Sequence, residues 1–281
     1  MTSPPIVTSI AELRGVVAGW LKDGARVGLV PTMGALHDGH LSLVRETQSR
    51  AQRTIASIFV NPAQFAPHED FDRYPRDLTS DAAKLGSVGL DLIFAPTVAE
   101  MYPKGFAIAL SVGGPSAGLE TDFRPHFFGG VATVVAKLLI AALPDLAMFG
   151  EKDYQQLLVI KRLTTDLGLP IEIVGAPIVR EGDGLAMSSR NAYLSAAQRR
   201  VAGQMNVVLK SAISHVRAGN AVAAAERMAA ESLLKAGFDG VDYVAIRDAT
   251  TLEIIEKPDR PARILAAAKI GATRLIDNMP V

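Results

Sequence analysis

Two histidines stand close together behind a short apolar stretch near the amino terminus. The segment Arg26–His40 reads RVGLVPTMGALHDGH and ends in His37 and His40, with Asp38 and Gly39 between them. Imidazoles at this i, i+3 spacing lie on one side of a helical turn and can donate hydrogen bonds to charge developing on a phosphate oxygen. Glycine allows a ligand to approach the backbone closely. The pattern therefore indicates a phosphate site, with two unrelated surface histidines in a loop as the alternative.

The elements around this HDGH turn (His37–His40) must place it where anions are stabilised. Val27–Val30 is short, rich in valine and bounded by glycine and proline, which predicts a buried parallel strand. From His40 onward the apolar spacing predicts a helix to about Arg50. The first N–H groups of a helix have no partner within it and carry the positive end of its dipole. A strand that runs into a helix in this way favours phosphate binding.

A second turn of the same kind occurs later in the chain. Leu146–Phe149 predicts another buried strand, and the sequence GEKD follows it at positions 150–153. Lys152 carries a compact charge suited to a phosphate, Asp153 can accept hydrogen bonds from ribose hydroxyls, and Gln156 lies one turn beyond Lys152. A helix whose first turn merely carries charged residues is the alternative. Two such turns in one sheet favour a shared crevice.

Two amide side chains follow the second predicted strand, Thr54–Val60. Asn61 and Gln64 come directly after it, where open parallel sheets collect ligand groups at the carboxyl ends of their strands. Amides can orient hydroxyl and carboxylate groups of a substrate. Because Asn-Pro is also an ordinary loop signal, a simple turn is the alternative.

A polar loop in the second half of the chain reads DGLAMSSRN at 183–191. Its central part, Met187–Arg190, offers two hydroxyls and a guanidinium fork, which together can bind several phosphate oxygens. On its own the loop is unremarkable. Its chemistry matters only if the fold brings it to the HDGH turn.

Composition narrows the class of protein. The 281 residues include 29 Lys and Arg, 29 Asp and Glu and no cysteine, and 49% are hydrophobic. This length allows one large domain or two ordinary ones with a sizeable core. A net charge of zero argues against tRNA or DNA as substrate, and the absence of cysteine excludes disulfides and thiolate sites. The N-terminal MTSPPIVTSI lacks the pattern of a signal peptide, and the apolar segment Val131–Leu143 is too short to span a bilayer. We expect a soluble, cytoplasmic protein.

The remaining pattern predicts an α/β fold, a Rossmann-like parallel sheet with helices on both faces (1–177), followed by a smaller C-terminal α+β lid domain (178–281). Helices are predicted over Leu13–Leu21, preceded by a capping box of Ser9 and Glu12, over Leu78–Leu85 and over Gly130–Ala142. Strands are predicted over Asp91–Ala95, Phe106–Val112 and Ile171–Val174, and loops over Ala66–Asp77 and Gly113–Arg124. Beyond Ser195 the pattern predicts two helices and strands near Val241–Ile246 and Ala262–Lys269.

Several motifs together resemble one family. VPTMGALHDGHLSLV looks like the HIGH-type signature of the nucleotidyltransferase superfamily, and in its full form it is similar to the pantothenate synthetases, or pantoate–β-alanine ligases. SIFVNPAQF, FGEKDYQQL, DGLAMSSRN and the closing TRLIDN resemble blocks of that family in the same order. One segment departs from it: Arg124–Phe128 reads RPHFF, with His126 in the place of a glycine and phenylalanine in the place of a histidine.

The resemblance implies roles for individual residues. It implies catalytic roles for His37, His40 and Lys152, and substrate contacts by Asn61, Gln64 and Gln156. It implies ATP contacts by Met33, Gly34, Ala35, Leu36, His37, Asp38, Gly39, His40, Gly150, Glu151, Lys152, Asp153, Val179, Met187, Ser188, Ser189 and Arg190. No metal-ligating residue is implied.

The resemblance also implies a reaction. Pantoate and ATP would form pantoyl adenylate and pyrophosphate, and β-alanine would then release AMP and pantothenate. It implies ATP as substrate, Mg²⁺ as the counter-ion of the triphosphate, a homodimer, and no nucleic-acid or membrane partner. Two alternatives remain: a nucleotidyltransferase that adenylylates a phosphate, and a nucleotide-sensing domain without turnover. Substrate amides at Gln64 and Gln156 favour a substrate with carboxylate and hydroxyl groups over the first alternative, and intact His37, His40 and Lys152 argue against the second.

Overall fold

The described part of the chain contains two separate β-sheets. A computed structural model describes residues 3–66, 69 and 71–281. In this part of the chain a six-stranded parallel sheet has the order β1-β4-β3-β2-β5-β6, and a three-stranded antiparallel sheet has the order β7-β8-β9. The predicted fold class, a Rossmann-like parallel sheet followed by a smaller α+β unit, is confirmed.

The elements have the following bounds. The strands are β1 (Ile6–Val7), β2 (Val27–Thr32), β3 (Arg53–Ile58), β4 (Leu92–Phe94), β5 (Leu146–Gly150), β6 (Glu172–Ala176), β7 (Gly240–Asp248), β8 (Ala262–Ile270) and β9 (Thr273–Pro280). The helices are α1 (Ile10–Lys22), α2 (Asp38–Gln48), α3 (Leu78–Ser87), α4 (Val98–Met101), α5 (Glu120–Phe123), α6 (Phe127–Ala142), α7 (Tyr154–Asp166), α8 (Ala196–Ala202), α9 (Gln204–Arg217) and α10 (Val222–Ala236). The predicted capping box of Ser9 and Glu12 starts α1.

Alternation along the strands explains why helices cover both faces of the parallel sheet. Successive side chains of a strand point to opposite faces. Leu29 of β2 belongs to the core formed with α1, α6 and α7, whereas its neighbour Val30 belongs to the core formed with α2 and α3. The strands are therefore apolar at consecutive positions, as buried parallel strands are.

The order of the strands creates a crevice between β2 and β5. From β2 the chain proceeds through β3 to β4 on one side, and from β5 it proceeds to β6 on the other. Ligands of open α/β sheets bind at such a switch point, beyond the carboxyl ends of the strands. The two turns that the sequence singles out follow β2 and β5, so both open onto this crevice.

The C-terminal sheet packs against its own helices and also against the larger unit. Its core joins α9 and α10 to the three strands. A smaller apolar cluster connects Leu158 of α7 to Ala245 and Leu265 of β7 and β8. The second sheet is therefore held against α7, the helix that follows the GEKD turn.

The strongly apolar α6 is explained by burial within this chain. Twelve of its 16 residues are buried, and Ile140 and the adjoining Leu143 are its large exposed hydrophobic residues. Its first turn packs so closely on the 3₁₀ turn Pro62–Gln64 that a Cβ at Gly130 would collide with the Ala63 carbonyl oxygen. The apolar composition of α6 therefore needs no partner subunit.

Several predicted elements differ from the structure. The strand predicted over Phe106–Val112 is wrong: these residues form no strand, and the Leu110 N–H donates to Thr133 Oγ1 of α6 at 3.1 Å instead of to a neighbouring strand. The loop predicted over Gly113–Arg124 contains α5 and a 3₁₀ turn. The helix expected to reach Arg50 ends at Gln48.

Other differences concern elements that the patterns did not predict. The short strand β1 was not predicted; it pairs in parallel with β4, which is distant in the sequence. The C-terminal unit has three helices, α8 to α10, and a third strand, β9, in place of the two helices and two strands expected. Residues 67, 68 and 70 of the predicted loop Ala66–Asp77 lie outside the described residues. None of the helices in the described ranges combines the length and apolarity that crossing a bilayer requires.

Candidate active site

A cleft of about 900 Å³ opens where β2, β3 and β5 end, and part of its wall comes from the C-terminal sheet. Of the residues singled out from the sequence, it is lined by Met33, His37, Gly39, His40, Asn61, Gln64, Gly150, Lys152, Asp153, Gln156, Val179, Met187, Ser188, Ser189 and Arg190. Gly34, Ala35, Leu36, Asp38 and Glu151 are not among the lining residues. The fold thus brings all four predicted segments to one cleft.

The HDGH turn is built as a reciprocal helix cap. His37 is the N-cap of α2, where its Nδ1 accepts from the Gly39 N–H at 3.2 Å, and His40 Nδ1 accepts from the His37 N–H at 3.3 Å. A Cβ at position 39 would lie 2.9 Å from the His37 ring, so glycine is required there. The spacing of the two histidines is therefore the spacing of a capping box.

These caps determine which ring nitrogens carry hydrogen. A neutral imidazole that accepts through Nδ1 carries its proton on Nε2. Among the described residues, neither Nε2 of His37 nor that of His40 has a hydrogen-bond acceptor. The ring centroids are 4.1 Å apart. The turn thus presents two neighbouring N–H donors whose protein-side hydrogen bonds are already made.

Both rings are neutral near pH 7. Burial, followed by the nearby Lys152 ammonium, lowers the pKa of His37 to about 4. Burial, followed by His37 and Lys152, lowers the pKa of His40 to about 3. Each ring disfavours a proton because burial removes its hydration and the neighbouring ammonium repels a positive charge. At neutral pH the pair can donate hydrogen bonds from neutral rings.

The loop before the HDGH turn is held by residues that the sequence patterns did not single out. The Asp81 carboxylate of α3 accepts from the backbone N–H groups of Ala35 at 2.9 Å and Leu36 at 2.8 Å. Lys84 Nζ donates to the Leu36 carbonyl at 2.8 Å. Asp81 is 2% exposed. These two N–H groups are therefore occupied by protein, and they support the loop.

Lys152 lies on the turn after β5. Glu151–Asp153 form a 3₁₀ turn, named here the Lys152 turn. Lys152 Nζ is 3.8 Å from an Asp153 carboxylate oxygen, and its charge lowers the pKa of both histidines across the crevice. Glu151 instead pairs with Arg263 of β8 at 2.8 Å. Lys152 thus lines the same cleft as the two histidines, while Glu151 joins the turn to the second sheet.

Both the nitrogen and the oxygen of the Asn61 amide form hydrogen bonds within the protein. Its Nδ2 donates to Gln64 Oε1 at 3.1 Å and to the Gly130 carbonyl at 3.2 Å. Its Oδ1 accepts from the Ala63 N–H at 3.3 Å and from the Tyr102 hydroxyl at 2.6 Å. An amide has two donors and two acceptor positions, so no capacity is left. This geometry makes Asn61 a support for Gln64, and a direct substrate contact by Asn61 stays a prediction.

Tyr102 is a supporting residue that no sequence pattern indicated. Burial raises its pKa to about 12, so its hydroxyl keeps its proton and donates to Asn61. Gln64 itself donates from Nε2 to the Met33 sulfur at 3.0 Å. The Gln156 side chain also lines the cleft, and it makes no hydrogen bond to any of the described residues. The two glutamines thus reach the cleft from the 3₁₀ turn after β3 and from α7.

The loop Met187–Arg190 docks directly on the segment before the HDGH turn. Ser189 Oγ donates to the Ala35 carbonyl at 3.0 Å, and the Arg190 N–H donates to Ser188 Oγ at 3.3 Å. The Arg190 guanidinium carbon lies 5.8 Å from the centre of the Tyr74 ring. The fold therefore provides the pairing of this loop with the HDGH turn that the sequence alone left open.

The segment that departs from the family pattern, Arg124–Phe128, lies only partly at the cleft. His126 starts α6 without a side-chain cap and is not among the lining residues, whereas Phe127 and Phe128 line the cleft. Arg124 forms hydrogen bonds of 2.7 and 2.8 Å with Glu69, and its guanidinium lies 3.9 Å from the Phe127 ring centre. At the position where the family pattern has histidine, this chain presents an aromatic ring stacked on arginine.

Comparisons with known proteins agree over nearly the whole chain. The family model described as pantoate-beta-alanine ligase matches residues 5–280. Proteins named pantothenate synthetase from Mesorhizobium japonicum and Rhodospirillum rubrum are both 56% identical, each over all of this chain and 99% and 100% of their own lengths.

Solved structures show the same arrangement. A pantothenate synthetase structure from Thermus thermophilus is 47% identical, covers 98% of both chains and has a TM-score of 0.91. A pantoate-beta-alanine ligase from Francisella tularensis, described as complexed with beta-gamma ATP and beta-alanine, is 32% identical, covers 99% of this chain and 97% of its own, and has a TM-score of 0.83. With its fold, its motifs and its full length matched, the chain belongs to the pantoate–β-alanine ligase family.

Proposed function

We propose that this chain condenses pantoate with β-alanine in two steps at the cleft. The pantoate carboxylate attacks the α-phosphorus of ATP, a new O–P bond forms, and pyrophosphate leaves. The β-alanine amine then attacks the acyl carbon of pantoyl adenylate, and AMP leaves with the former carboxylate oxygen. The Francisella tularensis relative, described as binding an ATP compound and β-alanine, supports these substrates.

The observation that carries the proposal is the convergence of charge stabilisers with substrate amides. The neutral Nε2–H groups of His37 and His40 and the ammonium of Lys152 line the same cleft as Gln64 and Gln156. A carboxylate is already a nucleophile, so the first step requires no general base. What it requires is stabilisation of charge on the phosphates as pyrophosphate departs, and preorganised donors supply that.

The lowered pKa values assign a specific role to the histidines. With pKa values of about 4 and 3, the rings hold no extra proton to give near pH 7. We propose that they act as neutral hydrogen-bond donors to phosphate oxygens, with Lys152 supplying the positive charge. Their caps keep Nε2–H aimed without reorganisation, which is the condition under which such donors lower a barrier most.

The proposal assigns the remaining residues by position. We propose that Ser188, Ser189 and Arg190 bind the nucleotide phosphates, with Met33, Gly39, Gly150, Asp153, Val179 and Met187 completing the ATP contacts. Gln64 and Gln156 hold pantoate. Gly34, Ala35, Leu36, Asp38 and Glu151 are proposed to support the site, because the cleft does not reach them.

Mg²⁺ enters the proposal as the counter-ion of the triphosphate, where it neutralises phosphate charge. Among the described residues, no group of three or more His, Cys, Asp and Glu side chains is placed to hold a metal ion. Mg²⁺ commonly keeps several waters and binds substrate phosphates rather than an all-protein cage. We therefore propose phosphate oxygens and water as its ligands.

We propose a division at residues 177/178, because β6 ends at Ala176 and the core of the C-terminal sheet begins at Leu185. We propose a cytoplasmic homodimer with its interface on the larger unit, where the exposed Ile140 and Leu143 at the end of α6 are candidate contacts.

The test is exchange of labelled pyrophosphate into ATP with pantoate present and β-alanine withheld. Because the acyl carbon becomes the electrophile only after adenylation, exchange should require pantoate and not the amine. AMP should appear when β-alanine is added. Exchange that depends on β-alanine would reject the proposed order, and ADP as product would place the cleavage between the β- and γ-phosphates.

A further inference from the structure

The last strand of the chain reaches the Lys152 turn through one buried side chain. Asn278 of β9 is 2% exposed and lies at the wall of the cleft. Its Nδ2 donates to the main-chain carbonyls of Glu151 and Lys152, both at 2.9 Å. These bonds join positions more than 120 residues apart in the chain.

The orientation of this amide follows from its partners. Two carbonyl oxygens can only accept, so the nitrogen of Asn278 must face them. Its Oδ1 is buried and accepts from no described residue. The amide is therefore fixed by the two bonds to the Lys152 turn.

The neighbouring residue of the same strand, Asp277, holds the segment before the Met187–Arg190 loop. Asp277 pairs with Arg180 at 2.7 and 2.8 Å, and Arg180 donates to the Gly184 carbonyl at 3.0 Å. Successive residues of a strand point to opposite sides. Thus β9 holds the segment before the Met187–Arg190 loop with one residue and the Lys152 turn with the next.

We propose that Asn278 is a positioning residue for Lys152, which places the ammonium opposite His37 and His40 by fixing the turn that carries it. The inference rests on the charge-stabilising role proposed for Lys152. Displacement of a charged group by about 1 Å can cost about 10²-fold in rate. Because this charge acts most on the transition state, loss of its placement lowers kcat more than it raises KM.

The test is a double-mutant cycle of Asn278→Ala and Lys152→Ala, with pantothenate formation as the rate measured. Asn278→Ala should lower kcat by about 10- to 100-fold, with the KM for ATP changed by less than about 3-fold. In the Lys152→Ala background the same change should cost less than about 3-fold, because no ammonium remains to be placed. A merely structural role would cost the same in both backgrounds.

Asn206→Ala is the matched control. Asn206 is equally buried, at 2% exposed, and belongs to the C-terminal unit, as Asn278 does. It does not line the cleft. Its replacement should leave kcat within about 2-fold of wild type, in line with the effect of substitutions remote from a site. If thermal unfolding shows that Asn278→Ala does not fold, Asn278→Val is the second variant: it suits a β-strand, adds no charge and loses both N–H groups.

Two results would overturn the inference: a wild-type kcat for the Asn278 variant, or equal losses with and without Lys152. Pantothenate formation does not presuppose an adenylate. A wild-type protein that forms pantothenate without pyrophosphate exchange would count against the proposed intermediate and would leave the cycle readable.

Discussion

Acidification should destabilise this protein through His37 and His40. Both are mostly neutral in the folded state at pH 5 and above, because their pKa values are lowered from 6.5 to about 4 and about 3. In the unfolded chain each regains a pKa near 6.5. Between these values the unfolded state binds more protons than the folded state, so the free energy of unfolding falls as the pH falls.

The size of the effect depends little on the folded pKa values. At about pH 5 both rings are still neutral in the folded protein, whereas both are mostly protonated in the unfolded chain. Because this pH is about 1.5 units below the unfolded pKa, the free energy of unfolding falls by about 2 kcal/mol for each histidine, or about 4 kcal/mol for the pair. Near pH 7.5 the loss is close to zero.

The comparison needs a variant that keeps the caps and removes the titration. His37→Asn retains a good N-cap acceptor, and His40→Gln retains an N3 residue typical of a capping box. His68, His126, His215 and all carboxylates are present in both proteins, so their contributions cancel. The difference between the two pH profiles therefore reports the two rings alone.

Urea unfolding of both proteins between about pH 7.5 and 5 measures the difference. The free energy of unfolding of the wild type should fall by about 4 kcal/mol more than that of the double variant. NMR of the wild type should show both rings as Nε2–H tautomers that do not titrate in this range. Parallel pH profiles, or ring resonances that titrate near pH 6.5, would refute the reasoning.

The other predictions concern catalysis and assembly. His40→Ala should lower the rate of pyrophosphate exchange by about 10²- to 10³-fold, the range for loss of one preorganised donor, and should change the calorimetric Kd for ATP far less. Loss of ATP affinity with full turnover at saturating ATP would contradict this. The rate of pantothenate formation by Lys152→Arg should exceed that of Lys152→Ala and remain below that of the wild type, because a planar fork replaces a compact ammonium poorly. Full activity of the Arg variant would reject the assignment. Tyr102→Phe should raise the KM for pantoate by about 5-fold, since one lost hydrogen bond is worth about 1 kcal/mol and Asn61 would orient Gln64 less well; unchanged kinetics would exclude that support. Light scattering at micromolar concentration should give a dimer, and a monomer would remove that proposal.

The predicted elements that the structure confirms are those whose signals are local. The short continuous apolar runs Val27–Val30 and Leu146–Phe149 indicated buried strands because both faces of a parallel sheet are apolar. Both are observed as parts of β2 and β5. The HDGH and GEKD turns could be located beforehand for the same reason, since the groups that define them lie within a few residues of one another.

The errors arose where a distant contact outweighs the local pattern. Phe106–Val112 alternates like a strand, but the Leu110 N–H is taken by Thr133 of α6, so no ladder forms. Here the burial of one side of the segment comes from packing on a helix, and alternation alone does not distinguish that from a sheet.

What the sequence by itself determined is the fold class, the positions of most buried strands along the chain and the four segments that carry the candidate chemistry, because these follow from residue types and short-range spacing. Only the tertiary structure decided how the groups in the cleft are held. Asp81 supports the loop before His37 from more than 40 residues away, and Asn278 supports the Lys152 turn from more than 120. The pKa values of the histidines also depend on the tertiary structure. They are set by burial and by Lys152 on the turn after β5, and desolvation and charge proximity exist only once the chain has folded.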